Sequence, residues 1–124
     1  MTLVRVHLVA AVLFVAAIVV QVFLAGAAIG NLGGSGNFST HVEFGYTALG
    51  LLALLLVVTA VVARRPRRDV GLVVLLVVLY VVQTVLPTFK GSAPALAALH
   101  PVNALLLFAV AGWYAWRTWR ATTA

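Results

Sequence analysis

The sequence predicts an all-α fold, an integral membrane four-helix bundle, and three observations carry that reading. The chain of 124 residues is 65% hydrophobic and only 8% charged, with a mean hydropathy of +1.18, whereas a water-soluble surface needs roughly 25% charged residues. Four apolar runs, about 3–29, 41–63, 70–86 and 95–116, each approach the ~20 residues that cross ~30 Å of hydrocarbon. The basic residues are segregated. If the runs alternate in direction, Arg5, Arg64, Arg65, Arg67, Arg68, Arg117 and Arg120 fall on one side and only Lys90 on the other. By the positive-inside rule both termini are then cytoplasmic, in a multi-pass protein of the cell membrane.

The valine-rich runs are helices because every backbone polar group in lipid needs an internal partner. Run 3–29 combines Arg5, a long apolar core and small residues at Ala25–Ala27, features of a signal peptide. Its core far exceeds the usual ~7–15 residues, so it is kept as the first helix. A glycine-rich outer loop, Gly30–Ser39, follows, with an Asn37-Phe38-Ser39 sequon. Thr40 and Glu43 have capping-box spacing at the start of the second helix. Asp69 and Glu43 fall on opposite sides of the membrane and cannot act as a catalytic pair. Ser92 is a candidate cap before Pro94, and Pro101 either kinks or begins the fourth helix. Trp113, Trp116 and Trp119 with Tyr114 make an aromatic anchor at the inner interface.

Composition also excludes. No cysteine is present, so disulfides, thiolate metal sites and iron–sulfur clusters are ruled out. The net charge of +6 follows from membrane topology, and no nucleic acid partner is expected. Residues 1–124 form a single domain.

A weak internal repeat links the two halves. Leu13–Gly26 and Leu75–Thr88 align without gaps at six of fourteen positions, including Gln21 with Gln83. After each glutamine comes an outer loop and then a helix with a histidine near its outer end, His41 or His100. The repeats are two-helix hairpins, so both insert in parallel orientation, related by a pseudo-two-fold axis along the membrane normal. Such an axis brings His41 and His100 face to face. Their depths disagree, since His41 precedes Arg64 by 23 residues and His100 precedes Arg117 by 17, a gap of about 9 Å. His7 reads as an interfacial residue of the first helix.

Two facing imidazoles can hold both axial positions of a haem iron. Gly45, Ala48 and Ala104 lie one to two turns below the histidines and would leave room for a porphyrin edge. Gln21, Gln83 and Asn103 could bond an imidazole N–H or a propionate, and the propionates would point toward Ser39, Thr40, Ser92 and Lys90. The helix, outer loop and histidine-opened helix, repeated twice, resemble one half of haem A synthase and, more broadly, the small four-helix b-type cytochromes of bacterial membranes. The stretches His41–Gly45 (HVEFG) and His100–Leu106 (HPVNALL) resemble small four-helix bacterial membrane proteins. The resemblance implies His41 and His100 as iron ligands and one haem b per chain. Haem A synthase has eight helices, and no carboxylate here is placed for its chemistry. The expected role is therefore an electron carrier or haem-handling protein without catalysis of its own, working with a quinone, a redox partner protein or further subunits in a homo- or hetero-oligomer. The alternative expectation is a cofactor-free accessory or assembly subunit.

Overall fold

The computed structural model describes residues 2–123. Four helices are long and apolar enough to cross a bilayer: α1 (Leu3–Ala28), α2 (Ser39–Val62), α3 (Arg67–Gly91) and α4 (Pro94–Thr123). No strand occurs among the described residues. Helix α1 packs against α2 and α4, and α3 packs against the same two, closing a four-helix bundle. Phe23, Leu51 and Leu105 remain 69%, 67% and 71% exposed. Large apolar side chains facing outward at this level fit a lipid surround, and we read the chain as a multi-pass membrane protein.

The core is built from small and large side chains in alternation. Ala10, Ala11, Phe14, Ala17 and Ile18 of α1 meet Ala53, Leu56 and Ala60 of α2, Val73 and Leu76 of α3, and Leu107 and Ala111 of α4. In lipid, helices associate through close van der Waals packing, and alanine permits that approach.

Several ends differ from the sequence expectation. α2 starts at Ser39, so Thr40 already lies inside the helix and the Thr40–Glu43 capping box does not form. Asn37 shapes this entry instead: its Oδ1 accepts from the Ser39 N–H at 2.9 Å. Ser92 does not cap α4; Ala93 holds that position, without a side-chain bond. α3 and α4 outrun their apolar cores because their polar ends, Arg67–Asp69 and Arg117–Thr123, stay helical. Pro101 sits in the first turn of the regular segment Leu99–Thr123, after a short helical turn at Pro94–Ala97. There its missing N–H and its clash with the preceding turn cost little, because the helix is re-started just before it.

The largest correction concerns His7. It is 0% exposed, not interfacial. Its Nε2 lies 2.6 Å from the Tyr114 hydroxyl and its Nδ1 2.7 Å from Thr59 Oγ1. Thr59 donates its own hydroxyl to the Leu55 carbonyl at 2.7 Å. Thr59 therefore accepts from His7 Nδ1–H, and His7 Nε2 accepts from Tyr114. Beside this cluster Asp69, 1% exposed, meets Arg65 at 2.6 Å and Arg117 at 3.0 Å. Side chains from all four helices thus meet in polar contacts at this end of the bundle.

Candidate functional site

At the opposite end, α2 and α4 each carry a histidine into the bundle. The rings of His41 and His100 lie 6.2 Å apart between centroids, with planes crossed at 75°. The depth mismatch read from the arginines does not keep the two rings apart, and α2 takes up an extra residue in a π-helical turn at Gly45–Leu49.

Each histidine is held by the glutamine preceding it in the chain, in the same way. His41 Nδ1 lies 3.0 Å from the Gln21 carbonyl and its Nε2 3.3 Å from Gln21 Nε2. His100 Nδ1 lies 3.0 Å from the Gln83 carbonyl and its Nε2 3.1 Å from Gln83 Nε2. A carbonyl only accepts, so both Nδ1 atoms carry the proton. The amide orientations follow from their other partners. Asn103 Nδ2 donates to the Leu79 carbonyl at 2.9 Å and to Gln83 Oε1 at 2.7 Å, which turns the Gln83 NH₂ toward His100. Gln21 Nε2 donates to the His41 carbonyl at 2.8 Å. Both imidazoles are therefore neutral Nδ1–H tautomers with an Nε2 lone pair, the form in which a histidine ligates a metal through Nε2.

Two apolar grooves share this pair. One, about 500 Å³, runs between α1 and α4, lined by Ile18, Val22, Ala25, Ala104, Leu105 and Phe108. The other, about 270 Å³, runs between α2 and α3 and adds Gly45, Tyr46, Tyr80, Thr84, Thr88 and Lys90. Gln21, His41, Leu49, Gln83, His100 and Leu107 line both.

The residues expected at this site divide accordingly. His41, His100, Gln21, Gln83, Gly45 and Ala104 come together around it. Ala48 lines neither groove; the extra residue of the π-helical turn rotates it away and puts Leu49 in its place. Asn103 bonds Gln83 instead of an imidazole. Of the groups expected to receive propionates, Lys90 lines a groove, while Ser39, Thr40 and Ser92 line neither. Tyr80 was missed. Its hydroxyl donates to the Gly45 carbonyl at 3.0 Å, satisfying backbone at the π-helical turn, where the i→i+4 ladder is interrupted. A tyrosine within a valine run was the available signal.

Gly45 has a packing reason. A Cβ there would stand 2.7 Å from Gln21 Nε2. Gly45→Ala should therefore push the end of the Gln21 side chain off His41, a flexible group that can move, so the net cost is about 1 kcal/mol or less. Reversible unfolding in mixed micelles measures this, and a loss above about 3 kcal/mol would show that backbone had to shift instead.

Among the described residues no group of three or more His, Cys, Asp or Glu gathers to hold a metal. Fold and site together define a four-helix membrane bundle with a facing histidine pair in an apolar cavity. By sequence the chain belongs to a family of unknown function (DUF6220), whose pattern matches residues 21–89, more than half its length. No curated protein and no solved structure matches it.

Proposed function

We propose that the chain is a b-type haem-binding membrane protein, with His41 and His100 as axial ligands of one haem, acting in electron transfer or haem handling. The observation that carries this is the facing pair of Nδ1–H tautomers, 6.2 Å apart, each fixed by a backbone carbonyl. Metal–nitrogen bonds of about 2 Å on both sides of one ion put imidazole centroids roughly 6 Å apart. A porphyrin supplies four nitrogens, so two protein ligands suffice. The larger groove is almost wholly apolar, as a porphyrin face requires, and Lys90 on the smaller one offers a partner for carboxylates at its edge. Gln21 and Gln83 must turn off the two Nε2 lone pairs for ligation, which frees their NH₂ groups for other acceptors.

Bound there, haem supplies one-electron chemistry, its potential set by the two histidines and by burial. The matching glutamine–histidine contacts support two like-oriented hairpins related by a pseudo-two-fold axis. The arginine-rich end, with both termini, is then cytoplasmic, and the histidine pair lies toward the outer face. One observation favours the other reading, a cofactor-free accessory subunit: glutamines and histidines satisfy most of one another's polar groups without any ligand.

Visible spectra of the detergent-purified protein separate the two. A Soret band with reduced α and β bands is expected, lost by at least tenfold when both histidines are replaced (His41→Ala with His100→Ala). A colourless preparation from haem-replete cells would end the haem reading.

A further inference from the structure

The end of the bundle opposite the histidine pair holds more charge than the fold uses. Its one acid, Asp69, is already shared between Arg65 and Arg117. Among the described residues Arg64, Arg67 and Arg68 of the α2–α3 turn make no ion pair and no side-chain hydrogen bond, and all three are exposed. Arg64 even works against its turn. Its φ is +49°, just past a helix end, where glycine fits without strain. The Arg64 N–H donates to the Val61 carbonyl at 3.0 Å and the Arg65 N–H to the Ala60 carbonyl at 2.9 Å. These are backbone bonds that a glycine at position 64 would make equally well. Charge segregation needs arginines on this side, but nothing inside the protein needs one in that conformation.

The neighbouring end of α4 shows what lies against this charge. Trp113, Trp116 and Trp119 are all exposed. Arg117 lies 5.9 Å from the Trp113 ring and Arg120 5.5 Å from the Trp116 ring. Exposed tryptophans at the end of a membrane helix mark the level of the lipid headgroups, so these guanidiniums stand at headgroup depth. The Asp69–Arg117 contact ties the α2–α3 turn to the same level. The anions nearest to the turn are therefore lipid phosphates. We infer that Arg64, Arg67 and Arg68 form a binding surface for anionic phospholipid of the surrounding bilayer. Guanidiniums hold a phosphate by charge-assisted hydrogen bonds, and a headgroup without its own ammonium leaves them no competing cation. The surface is independent of the histidine pair and of any haem.

All three tryptophans of the chain lie at this end, so their fluorescence reports the lipid beside it. The full chain is reconstituted in phosphatidylcholine vesicles with a small fixed fraction of lipid spin-labelled high on its acyl chain, either phosphatidylglycerol or phosphatidylcholine. Labelled phosphatidylglycerol should quench as though at least about threefold enriched, and the preference should fade at about 0.5 M salt, where exposed charges are screened. Replacing the three arginines together (Arg64→Gly, Arg67→Gln, Arg68→Gln) should bring the ratio below about 1.5. Arg64→Gly alone relieves the turn. It should lower the lipid preference while the unfolding midpoint holds or rises, which separates lipid binding from folding. Equal quenching by the two labelled lipids in the unaltered chain, or an unchanged ratio in the triple variant, would overturn the inference. So would displacement of the labelled phosphatidylglycerol by a short oligonucleotide, which would assign the surface to nucleic acid.

Discussion

Asp69→Ala is expected to lower the stability of the bundle by about 3–5 kcal/mol, the usual cost of removing one partner from a buried ion pair. Asp69 opens α3, is 1% exposed, and lies between Arg65, at the end of the α2–α3 turn, and Arg117 of α4. Without the carboxylate two guanidiniums face each other at the bundle end. Arg65 suffers most, since its side chain is only 10% exposed against 30% for Arg117. Arg117 can turn outward and keep its stem on the surface, where it already lies 5.9 Å from the Trp113 ring. Arg117→Ala should therefore cost well under half as much as Asp69→Ala. Equilibrium unfolding in mixed micelles gives both numbers, and an Asp69→Ala loss below about 1 kcal/mol would show that the carboxylate clamps nothing.

This triad also shows where sequence reasoning stops. Segregated arginines carry orientation, and the run RRPRRD reads naturally as a topological signal. That signal is the same for every arginine in it, yet Arg65 and Arg117 converge on Asp69 while Arg64, Arg67 and Arg68 stay exposed. Which arginine turns inward depends on helix phase at the end of α2, and no one-dimensional charge count contains it. The helices themselves were legible because hydrocarbon leaves so few alternatives: an apolar run of the right length can hardly be anything else. The His41–His100 juxtaposition was legible through Gln21 and Gln83, because amides are scarce in such runs and their common offset to a histidine is informative. Ala48 was misplaced for the opposite reason. The π-helical turn depends on a tyrosine hydroxyl from α3 and on the approach of Gln21 to Gly45, and these are tertiary events. A regular 3.6-residue count carried past Gly45 is wrong by one residue.

His7 and His100 make an instructive contrast. Both sit in helical runs, and both are neutral Nδ1–H imidazoles by their partners. His100 borders two grooves, while His7 is enclosed on every side by Thr59, Tyr114 and the core. Only His100 borders open space. In sequence His7 looked interfacial because it stands near the chain start beside Arg5. The better signal was its phase: His7, Ala10, Ala11, Phe14, Ala17 and Ile18 form one stripe at helical spacing, and all are buried. A stripe of small residues in an otherwise uniform apolar helix marks the packed face.

The consequence for stability is large. His7→Ala should cost about 2–4 kcal/mol, combining an orphaned Tyr114 hydroxyl with a cavity where the imidazole stood. Tyr114→Phe should cost less, about 1–2 kcal/mol, since the ring stays in place and only the hydroxyl is lost. Thr59 keeps its bond to the Leu55 carbonyl in either case. The two positions share one short hydrogen bond of 2.6 Å, so their effects should not add. The double variant should be about 1 kcal/mol more stable than the sum predicts, in the range measured for polar pairs between membrane helices. A double-mutant cycle in mixed micelles tests this directly. Strict additivity would remove the bond. A His7→Ala loss within about 0.5 kcal/mol of zero would return His7 to the interface, where the sequence first put it.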